Sequence, residues 1–152
     1  MNRYLRYLHP SIPLSMRLPL LQVRLSTETQ SFSTSALVDS GATCSFLPTD
    51  LAEILGLQLD PASSHTAVGA GGEFRTVEFQ VTIELTKGGR VFAKFKNWPV
   101  LVPINREAIP YMVLGRDSVF RRFDVTFREL IQRTILRLPK KAAEKSRFER
   151  RY

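Results

Sequence analysis

The sequence predicts a mostly β fold with one or two short helices, and three observations lead to this prediction. Apolar and polar residues alternate over residues 18–25 and again over residues 77–85, which is the period of a half-buried strand. Short apolar runs at residues 36–38 and 111–114 are typical of buried strands. Helical signals are confined to two short stretches. Strands must therefore supply most of the core.

Turns and loops join the predicted strands along the chain. The strand over residues 18–25 leads through a polar stretch into a hairpin partner over residues 33–38. The strand over residues 77–85 leads through a turn at residues 87–90 into a strand over residues 91–95. A loop bounded by prolines separates these strands from the last apolar run.

Two short helices interrupt this pattern. The first is predicted over residues 51–56, where Asp50 can cap the first turn, Glu53 can reach back from the third position and Gly56 can end the helix. The second is a short helix with an acidic cap that follows Gly115.

The stretch over residues 123–138 admits two interpretations. Val125 and Phe127 favour strands, with a turn near residues 129–132, although no Gly or Asn marks the bend. A helix over residues 129–138 is the alternative, because apolar side chains recur there at helical spacing. We expect strands.

Length and composition set the outer bounds. A chain of 152 residues fits one domain whose core needs no metal or disulfide. The single cysteine, Cys44, cannot form an internal bridge, which indicates a reducing compartment. No apolar run is long enough to span a membrane, and prolines interrupt the N-terminus too often for a signal peptide. A cytoplasmic protein is expected.

Charge is concentrated at the two ends of the chain. Residues 1–17 contain three arginines and no acid, and residues 128–152 contain nine basic residues against three glutamates. We therefore expect a basic N-terminal extension over residues 1–17, one domain over residues 18–138 and a flexible basic tail over residues 139–152. Such a tail could contact nucleic acid, but a solvated terminus is the favoured interpretation.

A candidate catalytic carboxylate, Asp39, stands where the apolar run at residues 36–38 meets Ser40 and Gly41. A strand that ends in this way holds a carboxylate at a tight turn, as acid–base chemistry on a peptide bond requires. These residues are also common turn formers, but apolar residues flank this turn on both sides. The chain contains no second Asp-Ser-Gly and no Asp-Thr-Gly.

Three glycines fall within the four positions 69–72, between a polar stretch and the strand over residues 77–85. Glycine lets another backbone approach closely, so this segment is either a mobile hairpin that closes over an extended ligand or an ordinary turn. Phosphate binding is disfavoured, because no Gly-Lys-Ser/Thr follows. Further along, Leu114 meets Gly115, Arg116 and Asp117 in a unit that loosely repeats the first strand and turn, which indicates an internal duplication.

In this order the three motifs resemble those of the retropepsin-like aspartic proteases, the retroviral, retrotransposon and related cellular enzymes. The matching segments are residues 37–42 for the catalytic loop, residues 68–72 for the flap and residues 113–117 before the C-terminal helix. The resemblance covers residues 18–137. It implies a closed acid-protease β-barrel whose single-lobe subunit dimerises, with terminal strands that complete the dimer interface.

The resemblance also implies roles for individual residues. The implied residues are Asp39 as the catalytic carboxylate, with Ser40, Gly41 and Ala42 supporting the active-site loop; Val68, Gly69, Ala70, Gly71 and Gly72 covering the substrate; and Leu114, Gly115, Arg116 and Asp117 packed behind the site. Retroviral enzymes usually place an acid a few residues after the catalytic one, as a partner for the arginine. Residues 42–45 offer none, which leaves the role of Arg116 open.

The function implied is that of a homodimeric aspartic endopeptidase, with a peptide or protein substrate and neither cofactor nor metal. Other catalytic schemes have little support, because the only histidines are His9 and His65 and no metal-ligand spacing occurs. Cys44 is interpreted as an apolar filler. Two alternatives stay open: a catalytically silent peptide-binding or dimerisation module on the same fold, and a scaffold whose basic ends contact nucleic acid or a membrane.

Overall fold

A computed structural model describes residues 17–69 and 71–139, together with the backbone of residues 2–3 and 5–6. The strands are β1 (Asn2–Arg3), β2 (Leu5–Arg6), β3 (Arg17–Leu18), β4 (Leu20–Ser26), β5 (Ser31–Val38), β6 (His65–Gly69), β7 (Gly72–Lys87), β8 (Arg90–Pro103), β9 (Met112–Leu114), β10 (Asp124–Arg128) and β11 (Arg133–Arg137). The helices are α1 (Thr49–Ile54) and α2 (Val119–Arg122), with 3-10 turns at Pro61–Ser63 and Glu129–Ile131. The predicted mostly β fold with two short helices is confirmed.

The main sheet closes on itself through a single residue outside the named strands. Strand β4 pairs with β5 and β7, β7 pairs with β8, and β5 pairs with β9 in parallel. Phe46 joins the two free sides, because its backbone pairs with Val113 of β9 and bridges to Leu101 of β8. The ring of pairings is thereby complete, and the sheet is a closed barrel.

The long strand β7 belongs to both the barrel and a projecting hairpin. Its C-terminal half pairs with β4, whereas its N-terminal half pairs with β6 from His65 opposite Thr76 to Gly69 opposite Gly72. The predicted strand over residues 77–85 is the middle of this longer element. The predicted turn at residues 87–90 is confirmed, with Gly88 and Gly89 at positive φ.

The apolar core fills the barrel. Alternate residues of β4, Leu21, Val23 and Leu25, are almost fully buried and contact the inward residues of β5, β7, β8 and β9. Both helices add side chains to this cluster, among them Ala52 of α1 and Val119 of α2. Burial of this apolar surface is the main favourable contribution to folding, and it fixes the strands that carry the site.

One acidic side chain lies among the core strands. Glu84 on β7 is 7% exposed and stands in register between Arg24 of β4 and Lys94 of β8. Lys94 Nζ lies 2.8 Å from its Oε1, and Arg24 donates through Nε at 2.6 Å to Oε2. Hydrogen bonds from Lys94 and then Arg24 outweigh the effect of burial and hold the pKa of Glu84 below its ordinary value of 4.5.

The prediction of capping side chains on the two helices is wrong. Helix α1 begins after Pro48 without a side-chain cap, and Asp50 and Glu53 instead form ion pairs with Arg106. A tertiary contact with an arginine outcompetes a local bond to the helix backbone here. The predicted end of the helix is confirmed, because Gly56 has a φ of 73° and donates to the carbonyl of Glu53.

The C-terminal stretch forms strands, so the alternative of a helix over residues 129–138 is wrong. Strands β10 and β11 pair over their whole length, and Gln132 takes the left-handed conformation at the bend that Gly or Asn usually occupies. The backbone of β1 extends this sheet along β11, and β2 pairs with β3. Residues 140–152 lie outside the described residues, and the division into extension, domain and tail stays a prediction.

Across the described residues, no helix combines the length and apolar character needed to cross a membrane.

Candidate active site

The loops that follow β5 and β9 are joined by their backbones, and this joint positions Asp39. Val38 pairs with Leu114 across the two parallel strands. Just beyond the pair, the N–H of Asp39 donates to the carbonyl of Leu114 at 3.1 Å, and the N–H of Arg116 donates to the carbonyl of Ala42 at 2.8 Å. The loop that carries Asp39 is therefore held on one side by the loop behind it.

The Asp39 side chain is half-buried and faces the cleft. Its Oδ1 accepts a hydrogen bond from the N–H of Gly41 at 2.8 Å, which closes a tight turn. A Cβ at Gly41 would lie 3.2 Å from that same oxygen, so a side chain there would crowd the carboxylate. Ser40 and Gly41 are exposed at the tip of the loop, and Ala42 is half-buried behind it.

Gly115 packs directly against the backbone of the catalytic loop. A Cβ built on it would lie 2.2 Å from the carbonyl oxygen of Cys44 and 2.9 Å from that of Ala42. Real atoms do not approach so closely, so no residue with a side chain fits this position without moving the loop. Leu114, beside it, is completely buried.

A network of buried hydroxyl groups lies behind the site. The carboxylate of Asp117 accepts from the N–H of Ser45 at 3.2 Å and from its Oγ at 2.8 Å. Ser45 Oγ also lies 3.0 Å from Ser118 Oγ and accepts from the N–H of Gly115 at 3.2 Å. The network ties the segment before α2 to the segment that follows the catalytic loop.

This network corrects the interpretation of the acidic helix cap. Asp117 does not cap α2; its carboxylate lies against Ser45. Sequence reasoning overlooked Ser45 and Ser118, both completely buried. The available signal was a serine placed inside the apolar stretch around Phe46. Arg116 is exposed and joins the site through its backbone N–H.

A cleft of about 720 Å³ opens above Asp39. The β6–β7 hairpin borders it with Val68, Gly69, Gly71 and Gly72, whereas Ala70 lies outside the described residues. The loop between β8 and β9 also lines the cleft and contributes Asn105, Ala108, Ile109, Pro110 and Tyr111. Sequence reasoning noted this loop by its prolines but assigned it no role.

The two faces of the β6–β7 hairpin differ. The Phe74 ring lies 5.9 Å from the ring of Phe46 in the cleft wall, and a Cβ at Gly69 would meet it at 3.0 Å. Because side chains alternate along a strand, Val68 and its register partner Glu73 share the other face. Val68 is 75% exposed there. The inner face thus presents glycine backbone, Ala67 and the Phe74 ring.

The arrangement suits acid–base chemistry on an extended ligand. The Asp39 carboxylate lies in a cleft, on a turn that the N–H of Gly41 closes. The glycine-rich backbone of the β6–β7 hairpin also borders the cleft and can form strand-like hydrogen bonds with an extended ligand. No group of three or more metal-ligating side chains occurs in the part of the chain that the structure describes.

Comparison with known proteins gives the same picture. The aspartyl protease family profile matches residues 24–118, which is more than half of the chain and includes every residue that lines the cleft. No curated protein matches this chain.

Two solved structures are similar. The EIAV protease complexed with the inhibitor HBY-793 has 27% sequence identity and a TM-score of 0.50 over 73% of this chain and 92% of that chain. A retropepsin-like aspartic protease from Rickettsia conorii has 18% identity and a TM-score of 0.51 over 72% of this chain and 85% of that chain, which bears on the fold alone. The chain therefore belongs to the aspartyl protease family and has a retropepsin-like fold.

Proposed function

We propose that this protein is a homodimeric aspartic endopeptidase in which two copies of Asp39, one from each subunit, activate the water that hydrolyses a peptide bond. The observation that carries the proposal is the half-buried Asp39 carboxylate at the cleft, with the N–H of Gly41 as its donor. Membership of the aspartyl protease family supports a peptidase.

One carboxylate cannot do both parts of this chemistry. Aspartic proteases generally place two carboxylates about 3 Å apart, which share one proton because both cannot ionise at that distance. Within the described residues, Glu73 is the other carboxyl residue at the cleft, but its strand register assigns it to the outer face of the hairpin. The second carboxylate is therefore expected from a second copy of Asp39.

The proposed reaction needs no covalent intermediate. The ionised carboxylate takes a proton from the water between the two side chains, while the protonated one donates its proton to the scissile carbonyl oxygen. The water oxygen attacks the carbonyl carbon to give a tetrahedral diol. Collapse of the diol breaks the C–N bond: the nitrogen takes the proton that one carboxyl group had received from the water, and the other carboxylate accepts a proton from a diol hydroxyl. The pair thus returns to its shared-proton state.

An extended peptide is the proposed substrate. The inner face of the hairpin presents the backbone of Gly69, Gly71 and Gly72, whose amide groups can pair with a peptide strand whatever its side chains. Val68, through its backbone, and Ala70 are proposed to complete this cover. Apolar groups of the loop between β8 and β9, such as Ile109 and Tyr111, would contact the side chains of the peptide.

A subunit-mixing experiment tests catalysis by paired Asp39 residues. The wild-type protein and the Asp39→Asn variant are allowed to exchange subunits, and cleavage of fluorescein-labelled casein is measured against the wild-type fraction. With one carboxylate required from each subunit, an equal mixture should keep about a quarter of the wild-type activity, since about a quarter of the dimers contain two wild-type chains. The Asp39→Asn protein alone should be inactive.

Other results would contradict the proposal in separate ways. About half of the activity in the equal mixture, once subunit exchange is complete, would mean that each subunit acts alone. Full activity of the Asp39→Asn protein would show that Asp39 takes no part in catalysis. A dimer in sedimentation equilibrium without cleavage of casein at any pH from acidic to neutral would favour the silent peptide-binding module.

A further inference from the structure

The loop between β8 and β9 forms one wall of the cleft with little support from within. Its N-terminal end is fixed, because the N–H of Ile104 donates to the carbonyl of Arg75 at 2.9 Å. Between Asn105 and Ala108 the described hydrogen bonds of the backbone N–H groups are local: Ala108 N–H donates to the Asn105 carbonyl, and Glu107 N–H to the Asn105 side chain. Pro110 and Tyr111 make contacts of their own at the other end.

Arg106 joins this loop to helix α1. Its Nη1 pairs with Asp50 Oδ1 and its Nη2 with Glu53 Oε1. The two acids are three residues apart on the helix, so they lie on one face and receive both arms of a single guanidinium. A planar fork of this kind holds an orientation as well as a distance, which a lysine ammonium cannot do.

The other end of this connection is firmly anchored. Helix α1 buries Ala52 in the core, as does Leu55 directly after it. Its first residue, Thr49, donates through Oγ1 to the carbonyl of Pro103 at 2.6 Å. The guanidinium therefore spans from a fixed helix to the middle of the cleft wall.

We propose that Arg106, with Asp50 and Glu53, is a positioning clamp that holds the cleft loop at the separation from the flap that an extended peptide needs. Arg106 does not line the cleft, so it acts through Asn105 and the residues from Ala108 to Tyr111, which do. All three clamp side chains are more than half exposed. Ions screen such pairs strongly, so the clamp makes peptide affinity sensitive to ionic strength.

Hydrogen exchange on the full-length protein tests the clamp without any substrate. In the Arg106→Gln variant, the amides of residues 104–109 and 111 should exchange about fivefold faster than in the wild type, because the middle of the loop loses its connection to helix α1. The Asp50→Asn/Glu53→Gln double variant removes the two carboxylate partners of Arg106 and should increase the exchange rates by the same amount. Arg90→Gln is the matched control, since Arg90 is exposed at the turn between β7 and β8 and does not line the cleft. Unchanged exchange at residues 104–109 and 111 in both clamp variants would overturn the proposal.

The effect on peptide cleavage rests on the proposed function and is measured with labelled casein. Arg106→Gln should raise KM about three- to tenfold and change kcat less than about twofold, because the loop orients the peptide and does not touch the reacting atoms. The charge-swapped variant Arg106→Glu/Asp50→Lys/Glu53→Lys should lower KM about twofold from that of Arg106→Gln but not to the wild-type value, because it restores the attraction without the planar fork. Loss of kcat with an unchanged KM, or failure of the swap in a protein that melts like the wild type, would overturn the clamp.

Salt gives a further readout that general destabilisation would not produce. Between about 0.05 and about 0.5 M NaCl the wild-type KM should rise two- to threefold, whereas that of Arg106→Gln should stay constant. An equal rise in both proteins would contradict the proposal. If the wild type cleaves no casein, the proposed function fails while the exchange experiment still decides whether the clamp exists.

Discussion

Asp39 and Asp117 follow two neighbouring parallel strands, yet their carboxylates meet different surroundings. Asp39 follows β5 and, within the described part of the chain, accepts from the N–H of Gly41 in its own turn. Asp117 follows β9 and accepts two hydrogen bonds from Ser45, which is completely buried. An aspartate in a similar strand-and-turn unit is thus left available for a ligand at position 39, whereas at position 117 it is engaged in structural hydrogen bonds.

The comparison teaches that unused hydrogen-bonding capacity distinguishes a candidate catalyst from a structural carboxylate. An ionised carboxylate offers about four acceptor positions. Those of Asp117 are directed into the segment behind the loop, where they hold Ser45 in place. Those of Asp39 are mostly left for a water, a substrate or a second carboxylate. The rigidity of the second unit is what allows the first to hold a reactive group still.

Glycine substitutions give the sharpest test of this division of roles. Gly115→Ala is expected to lower the free energy of unfolding by about 3 kcal/mol or more, because the new methyl group would overlap the carbonyl of Cys44. Urea unfolding followed by circular dichroism measures the change.

Gly41→Ala is the matched substitution in the other loop. Among the described residues, its Cβ would meet only the Asp39 side chain, at 3.2 Å, so we expect a cost within about 1 kcal/mol and a loss of casein cleavage instead. Equal destabilisation by the two alanine substitutions would mean that both loops contribute equally to the stability of the fold.

Replacing each acid by its amide compares the carboxylates directly. Asp117→Asn should lower the free energy of unfolding by about 1.5–3 kcal/mol, because an amide weakens the hydrogen bonds from the buried Ser45. Asp39→Asn should leave it within about 0.5 kcal/mol, since the amide oxygen still accepts from Gly41. Thermal melts of both variants check this, and the reverse order of stability would refute the assignment of roles.

Glu84 is a third carboxylate for this comparison, and it forms ion pairs with Arg24 and Lys94. These pairs make the stability of the fold depend on pH. Its lowered pKa means that the folded protein releases this proton more readily than the unfolded chain does. The resulting stability is fully present above pH 4.5 and is lost as the pH falls through the lower value of the folded state. Glu84→Gln should therefore cost about 1 kcal/mol at pH 7 and flatten the decline in stability below pH 4.5. If the free energy of unfolding fell equally with pH in the wild type and the variant, this prediction would be contradicted.

Strands were predicted well because their signal is local. The alternation over residues 18–25 and 77–85 reports which side chains face the core, and both segments lie in strands of the barrel. The two apolar runs were placed correctly for the same reason. The order of the three motifs also sufficed for the retropepsin-like fold.

Contacts between distant residues could not be predicted in this way. Asp50 and Glu53 looked like helix-capping residues because Arg106, their partner, is more than fifty positions away. Phe46 closes the barrel only because β8 and β9 present open edges on both sides of it. Gln132 adopts the left-handed backbone conformation, which glutamine does not favour, because the pairing of β10 with β11 requires a sharp bend at this position.

The sequence by itself determined the strands, the Asp-Ser-Gly turn and the glycine-rich hairpin, since alternation, turn preference and backbone freedom act over a few neighbouring residues. Only the tertiary structure decided that Asp39 is left available, that Asp117 is bound to Ser45 and that Arg106 holds the cleft loop. Whether a polar group is free or used depends on which groups the closed barrel brings within hydrogen-bond distance, and that is a property of the whole fold.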